Sequence, residues 1–243
     1  MGHGLFKTSA IILKKYPFGE YDEIIHMFSS DYGKIKTFAK GARRPKSELR
    51  GKFEPFYEIT ALFSSGKNFE IVSQAEIVNC RGGIMKDLES LSCGFYFLEL
   101  TEQMLPYMSP DSKVYLYLGK ILNYIDINKP DGIFILSALY YFLGFCGISP
   151  SLDTCVKCGS KSEFVCFDPV NGGNICPACK PSTKACMDRQ LLAFIADLSF
   201  LKLDALREKY SDTDISGDVR ALLESYLFYQ ADVVLKSANF ITV

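Results

Sequence analysis

The first eighty residues contain short apolar runs and apolar–polar alternation that are typical of β-strands. In residues 34–39, Lys, Ile, Lys, Thr, Phe and Ala follow one another, and such alternation marks a strand with one face in water. Five runs of this kind, separated by turns and without an intervening helix, predict a small closed β-barrel. The predicted strands are residues 6–13, 23–29, 34–39, 56–64 and 69–77.

From residue 81 onward the apolar positions recur at helical spacing. Leu88, Leu91, Phe95 and Leu98 lie three or four residues apart, which is the period of a helix with one buried face. Further helices are predicted at residues 114–127, 133–146, 188–206 and 218–236. We therefore predict an α+β multidomain protein. Its β-barrel domain spans residues 1–80 and its helical domain spans residues 81–243, with a cysteine-rich insertion at about 150–186.

One apolar stretch has the composition of a membrane span. Residues 132–152 are 21 residues without a charged side chain. The helix predicted within them, residues 133–146, would be about 21 Å long, whereas a hydrocarbon core is about 30 Å thick. We therefore expect a buried core helix and no membrane partner. The composition of the whole chain, 48% hydrophobic and 23% charged, is also that of a globular protein.

Four cysteines form two Cys-x-x-Cys pairs, Cys155 with Cys158 and Cys176 with Cys179, separated by 17 residues. Each pair fits a tight turn that presents two thiolates to one point, and two such turns make a tetrahedral zinc site. Because the four thiolates fill all positions, we expect one structural zinc ion per chain rather than a catalytic one.

Two other interpretations of the cysteines are open. A disulfide framework is disfavoured because the chain has nine cysteines, an odd number, and no secretory signal, so we expect a reducing cytoplasm. Cys166 or Cys186 could replace a predicted zinc ligand, but each lacks a Cys-x-x-Cys partner. The remaining cysteines lie in apolar surroundings and are expected to be small buried side chains; they are Cys80, Cys93 and Cys146.

Positive charge is concentrated between residues 34 and 52. Eight cations against one carboxylate, Glu48, give this segment a net charge of +7, which leaves −8 for the rest of a chain of net charge −1. The eight cations are Lys34, Lys36, Lys40, Arg43, Arg44, Lys46, Arg50 and Lys52. Such a segment is the electrostatic footprint of a phosphate backbone, and we favour nucleic-acid binding over a merely solvated loop.

Aromatic residues interleave with these cations. They are Phe38, Phe53, Phe56 and Tyr57. In nucleic-acid-binding barrels such rings stack on bases, but for the phenylalanines we favour burial in the barrel core.

Catalytic signatures are absent from the sequence. It contains no glycine-rich phosphate loop, no Gly-x-Gly-x-x-Gly, no His-Glu-x-x-His and no Gly-x-Ser-x-Gly. Of the two histidines, His3 lies near the N-terminus and His26 lies in a predicted strand, where a structural role is favoured. The acidic group at residues 20–23 fits a solvated turn better than a metal site. We therefore predict that the protein is not an enzyme.

Several strings in the chain resemble the RecO family of bacterial recombination mediators. In the N-terminal part they are residues 19–28, 32–34 and 39–47, Glu54-Pro55-Phe56 and Gln74-Ala75-Glu76. In the C-terminal part they are Gly147-Ile148-Ser149-Pro150, Leu152, Phe167-Asp168-Pro169, Gly172-Gly173 and the two cysteine pairs. The basic string Gly41-Ala42-Arg43-Arg44-Pro45-Lys46-Ser47 is the most specific of them.

The resemblance implies an N-terminal OB-fold, a helical domain and a zinc finger. It also implies binding of single- and double-stranded DNA, annealing of complementary strands, and joint action with RecR and the single-strand-binding protein SSB in loading RecA. Such a protein is cytoplasmic and associated with the bacterial nucleoid.

Two competing hypotheses come from other classes of protein. The first is a scaffold for protein partners, which the acidic remainder of the chain and the aromatic clusters at residues 95–97 and 140–142 would serve. The second is a zinc hydrolase acting on nucleic acid. We favour the DNA-binding mediator because the basic segment coincides with the absence of catalytic motifs.

Overall fold

Five N-terminal strands close into a barrel in the computed structural model, which describes residues 4–66, 69–161, 163–182, 187–211 and 216–241. The strands are β1 (Leu5–Phe18), β2 (Asp22–Ser29), β3 (Gly33–Ala39), β4 (Glu58–Ser64) and β5 (Glu70–Asn79). Around the barrel their order is β1-β2-β3-β5-β4, with β4 returning to β1. Only the β3–β5 pair is parallel. This arrangement confirms the predicted OB-fold barrel.

The barrel core is built from alternate residues of each strand. Ile59, Ala61 and Phe63 of β4 are almost completely buried, while the residues between them are partly exposed, as expected for strands with one face on a core. The loop after β3 contributes Ala42, Leu49 and Phe53 to the same core. This loop carries most of the cations of the basic segment and is nevertheless anchored by apolar side chains at intervals.

Strand β1 is longer than the sequence predicts. An irregularity in its pairing with β2, between Ile12 and Lys14, shifts the register by one residue. Such a bulge lets a strand bend and continue around a barrel. As a result β1 extends through Lys14 and Lys15 to Phe18, five residues beyond the predicted end at Leu13.

Six helices and a short hairpin follow the barrel in the described part of the chain. The helices are α1 (Leu88–Met104), α2 (Ser112–Ile127), α3 (Gly132–Phe145), α4 (Arg189–Asp197), α5 (Leu203–Lys209) and α6 (Ser216–Ala231). Aspartate side chains accept backbone N–H groups at four N-termini, which is a favoured N-cap interaction. The capping residues are Asp87, Asp111, Asp131 and Asp188.

The prediction of one helix over residues 188–206 is wrong. The structure has two helices, because the chain turns after Asp197, whose carbonyl accepts the N–H groups of Phe200 and Leu201. The Ser199 hydroxyl donates to the carbonyl of Ala196, a local bond that competes with helix continuation. The helix predicted over residues 218–236 also ends early, at Ala231, before Asp232 adopts a left-handed φ of 54°.

The described chain divides into two compact units. One contains the chain up to Lys129 together with Ser237–Ile241, and the other contains Pro130–Lys236. The C-terminal piece of the first unit is fixed to α1, because the backbone N–H and the hydroxyl of Ser237 both donate to Glu99 Oε2. The domain boundary predicted after residue 80 lies next to the end of β5 and stays a prediction.

Helix α3 occupies most of the uncharged stretch. It is 14 residues long, and Leu136, Leu139 and Phe142 are among its buried residues. Within the described ranges, the helices are too short or too polar to cross a membrane. The expectation of a buried core helix is therefore confirmed.

Candidate nucleic-acid interface and candidate metal centre

The outer face of strands β1, β2 and β3 has a covered half and an open half. Ile25 and Met27 point into the core and have no exposed surface, so the alternate side chains of β2 point outward. His26 and Phe28 lie in the covered half. The open half consists of Tyr16, Phe18, Ile24, Lys36 and Phe38, which the strand register places side by side and which we call the open face.

Residues 102–109, which comprise the last turn of α1 and the segment after it, lie across the covered half; we call them the strap. The Met108 N–H donates to the carbonyl of Lys34 over 2.9 Å, and Lys34 pairs with Tyr107 in an isolated β-bridge. The Lys34 ammonium donates to the carbonyl of Glu102 and lies 4.4 Å from the centroid of the Tyr107 ring. Burial of this ammonium lowers the pKa of Lys34.

Glu102 holds the strap to the barrel through several polar contacts. Its Oε1 lies 2.8 Å from His26 Nδ1 and 3.1 Å from Lys14 Nζ, and it accepts the Tyr107 hydroxyl over 3.1 Å. Burial by itself would raise the pKa of Glu102. The hydrogen bonds from His26 and Lys14 outweigh burial and lower this pKa to about 2. His26 is thus buried and paired, as the structural role predicts.

The open face presents aromatic rings to solvent. Tyr16 is 47% exposed and Phe18 is 52% exposed. The Phe18 ring meets Phe38 edge-on, with the centroids 5.7 Å apart. Exposed rings on one sheet face are surfaces on which other planar groups stack.

The loop after β3 carries cations to one end of the open face. The Gly41 N–H donates to Asp22 Oδ1 over 2.6 Å, and the Arg43 N–H donates to the carbonyl of Tyr21 over 2.9 Å. The loop is therefore held against the turn between β1 and β2. The Arg44 guanidinium lies 5.3 Å from the centroid of the Tyr21 ring, in a cation–π arrangement.

The eight cations predicted to contact DNA fall into different environments. Lys36 lies on the open face and is half-buried. Lys34 is 4% exposed beneath the strap, and Lys52 Nζ donates to the carbonyl of Ala75 on β5 over 2.6 Å. The exposed members of the set are Lys40, Arg43, Arg44, Lys46 and Arg50. DNA contact by any of the eight stays a prediction.

Tyr16 and Phe18 lie beyond the first strand predicted from the sequence. The predicted strand stopped at Leu13 because Lys14 and Lys15 interrupt the apolar run. A usable signal was present, since Lys14, Tyr16 and Phe18 alternate up to the turn at Gly19. Of the phenylalanines assigned to the core, Phe53 and Phe56 are buried and Phe38 is only partly so.

A small hairpin brings the two cysteine pairs together in the second unit. Its strands are β6 (Cys166–Asp168) and β7 (Gly173–Ile175), which pair antiparallel. The first pair lies on a turn in which the Gly159 N–H donates to the carbonyl of Cys155. The second lies on a turn in which the Cys179 N–H donates to the carbonyl of Cys176. Each turn is tight, as the Cys-x-x-Cys spacing predicts.

The sulfur atoms of Cys155, Cys158, Cys176 and Cys179 all lie within 4.8 Å of one another. Those of Cys158 and Cys176 are 3.7 Å apart. Sulfurs bound to one ion at about 2.3 Å in tetrahedral geometry are about 3.8 Å apart, so the four thiols fit a metal ion. Cys166 is buried in β6 and is not part of the cluster; Cys186 lies outside the described residues.

The thiols of the cluster differ in acidity. A hydrogen bond from the backbone N–H of Cys176 lowers the pKa of Cys155, whereas the hydrogen bond with Cys158 raises the pKa of Cys179. Four thiols this close cannot all ionise unless a cation lies among them. The donor set therefore suits a divalent ion that accepts thiolates.

A five-stranded OB barrel followed by helices with a four-cysteine cluster defines a class of multidomain OB-fold proteins. Comparisons with known proteins cover most of the chain. The family model described as "Recombination protein O N terminal" matches residues 1–81, and the one described as "Recombination protein O C terminal" matches residues 85–238. The chain belongs to the RecO family.

The relatives share most of their length with this chain. The DNA repair protein RecO of Thermoanaerobacter sp. (strain X514) is 32% identical, over 98% of this chain and 97% of the relative. The protein of the same name from Caldanaerobacter subterraneus subsp. tengcongensis is 28% identical, over 96% of each chain. That from Desulforamulus reducens is 28% identical, over 97% of this chain and 93% of the relative.

Proposed function

We propose that the protein is a non-enzymatic DNA-binding mediator of recombination repair. The observation that carries this proposal is the open face, where exposed Tyr16 and Phe18 lie beside the cationic loop on strands β1–β3 of an OB barrel. This is the face on which OB-folds bind oligonucleotides. The family and the name of the relatives, DNA repair protein RecO, support the same proposal.

The open face and the loop would contact different parts of the DNA, the bases and the phosphates. Tyr16, Phe18 and Phe38 offer rings on which bases of single-stranded DNA stack. Arg43 and Arg44 offer guanidinium groups that bind phosphate oxygens in pairs. Because the loop cations need no base contact, they also serve double-stranded DNA. Lys34 and Lys52 are left out of this interface, because their ammonium groups already have protein partners.

Annealing of complementary strands follows from the same electrostatics. Two strands repel one another through their phosphates, and cations that neutralise both reduce this repulsion. Bases can then find their complements without nucleotide hydrolysis. We further propose that the protein acts at the nucleoid in the bacterial cytoplasm, together with RecR, on DNA covered by SSB, so that RecA can be loaded.

We propose that the four-cysteine cluster holds one zinc ion. Cys155, Cys158, Cys176 and Cys179 would supply four thiolates, which leaves no position for water or substrate. When bound, the ion fixes the two turns and the hairpin between them. The ion would therefore stabilise the fold and take no part in a reaction.

The proposal is tested with the triple variant R43A/R44A/K46A. Three exposed cations are lost, so the slope of log affinity against log salt should flatten by about 2.7 on duplex DNA, at about 0.9 per phosphate contact. The affinity at low salt should fall, and annealing of complementary oligonucleotides without ATP should slow. Fluorescence anisotropy at several salt concentrations measures the first effect.

The matched control is K86A/K113A/K120A, which removes three exposed cations from the helical part of the same unit. It changes the net charge equally and should leave the slope unchanged. If both triple variants reduce binding to the same extent, overall charge and not the loop is responsible. An unchanged slope in R43A/R44A/K46A would remove the loop from the DNA site.

A further inference from the structure

A cavity of about 340 Å³ lies beside the open face, between the strap and the start of β5. Its walls include Lys36 of the open face, Phe69 and Glu70 at the start of β5, and Tyr107 and Met108 of the strap. The volume is at the lower end of the range of about 300–1,000 Å³ found for small-molecule pockets. It therefore suits a single planar group and not a longer ligand.

The walls are suited to an aromatic ring that carries a phosphate nearby. Phe69 and Tyr107 line the cavity with aromatic surface, and Met108 adds adaptable apolar surface. Lys36 Nζ lies 4.6 Å from the centroid of the Phe69 ring, so a positive charge borders the cavity. A nucleotide presents the same combination, with a planar base and an anionic backbone.

Glu70 adds a hydrogen-bond acceptor to these apolar walls. Its Oε2 atom is buried and, among the described residues, has no hydrogen-bond partner. A carboxylate oxygen without a donor is unfavourable. The terminal torsion of a glutamate is soft, so rotation of the carboxylate would turn this oxygen into the cavity that Glu70 lines, where a ligand N–H group would stabilise it. An exocyclic amino group of a base is such a donor, and glutamate accepts hydrogen bonds from the N4 amino group of cytosine in other protein–DNA contacts.

We propose that this cavity takes up one unstacked nucleobase that bears an exocyclic amino group, with Glu70 as the acceptor. The proposal rests on the proposed function, because the base arrives with single-stranded DNA bound to the open face. Thymine has a carbonyl oxygen where cytosine has its amino group. Two acceptors would then face each other, so the site discriminates cytosine from thymine.

The experiment compares oligodeoxycytidine with oligothymidine of equal length. Labelled oligonucleotides are titrated at fixed salt and above neutral pH, where cytosine is unprotonated, and binding is followed by anisotropy. The wild-type chain should bind oligodeoxycytidine about tenfold more tightly, as expected for a hydrogen bond to a charged group. In the E70Q variant this preference should vanish, because an amide can turn either its N–H or its oxygen toward the base.

The matched control is E76Q, which removes the same charge from an exposed position on the same strand and should keep the preference. Equal affinity of the wild type for the two oligonucleotides overturns the proposal, and this comparison needs no variant to fold. The proposal is also overturned if E70Q keeps the preference for oligodeoxycytidine. It is overturned as well if E70Q binds both oligonucleotides more tightly by the same factor, since the carboxylate would then only repel phosphates. Absence of binding to either oligonucleotide would instead contradict the proposed function.

Discussion

Glu102 is the residue at which the contacts between strap and barrel converge. Its carboxylate meets His26, Lys14 and Tyr107, and its carbonyl accepts the ammonium of Lys34. The side chain is only 11% exposed, so these contacts are little weakened by water. A buried carboxylate with paired donors contributes stability in its charged form.

The stability of the barrel unit should depend on the charge of Glu102. Because its pKa falls from 4.5 to about 2 on folding, the carboxylate contributes fully above about pH 4.5, and the contribution disappears as the pH falls toward 2. It amounts to at most about 3 kcal/mol. The variant E102Q should be less stable near neutral pH, with a difference from the wild type that shrinks as the solution is acidified. Urea unfolding at a series of pH values measures this difference.

The control for this series is E48Q, which removes an exposed carboxylate from the loop after β3. It should leave the pH dependence of unfolding as in the wild type. A constant difference in stability between E102Q and the wild type from neutral to acid pH would show that the contacts of Glu102 do not depend on its charge.

At the scale of elements, the strap and the turn between β2 and β3 are fitted closely together. Gly33 begins β3 with a left-handed φ of +70°. A Cβ atom at this position would overlap the carbonyl oxygen of Ser109, the last residue of the strap. Glycine is therefore required at position 33 for two reasons: the left-handed backbone conformation, and the lack of room for a Cβ atom next to Ser109.

The substitution Gly33→Ala should lower the free energy of unfolding by more than about 2 kcal/mol, because it combines an unfavourable φ with a backbone overlap. The control is Gly19→Ala, at a φ of +59° with no atom within 4 Å of the added carbon. It should lower that free energy by only about 1–2 kcal/mol. Chemical denaturation of the two variants separates the contributions, and equal losses would contradict the close fit of the strap.

The barrel and the cysteine cluster could be predicted from sequence because their signals are local. Alternation shows which face of a strand is buried, and the spacing within Cys155–Cys158 and Cys176–Cys179 is set inside single turns. The strap leaves no local pattern. His26 and Glu102 are 76 positions apart, and Lys34 and Glu102 are 68 apart. The sequence around each residue therefore gives no indication of the contact.

Contacts between residues far apart in the sequence also explain why the cations could not be told apart from sequence. In the sequence, Lys34 and Lys36 occupy equivalent positions of one alternating strand, so both are predicted to contact DNA. The structure places Lys34 beneath the strap and Lys36 on the open face. The difference depends on a segment about seventy residues further along the chain, and composition cannot supply it. The end of β1 is mispredicted for a different reason, since Lys14 and Lys15 interrupt the apolar run just where a bulge lets the strand continue.

At the scale of the whole molecule, the two candidate sites lie in different compact units. The open face and its loop belong to the unit that contains the chain up to Lys129, and the four cysteines belong to the unit that spans Pro130–Lys236. Loss of the metal should therefore affect the second unit first. Mutation should then separate metal binding from DNA binding.

The variant Cys158→Ser tests the separation. Elemental analysis should find about one zinc per chain in the wild type and much less in the variant, because one of four thiolates is missing. Affinity for single-stranded DNA should stay within about twofold, as expected for sites that belong to different compact units and act independently. The control is Cys166→Ala, which removes a neighbouring thiol outside the cluster and should retain the metal. Loss of zinc in the control alone would show that Cys166 is a ligand.

The attachment of Ser237–Ile241 to the barrel unit has a consequence for how the protein is made. Helix α1 and the barrel leave the ribosome before the second unit. However, the hydrogen bond to Glu99 cannot form until Ser237 has been translated, which happens after the second unit. A nascent chain can form the barrel early, but it cannot complete that unit until the intervening residues have also been synthesised. The barrel unit is therefore the first to begin folding, but its folding can be completed only near the end of synthesis.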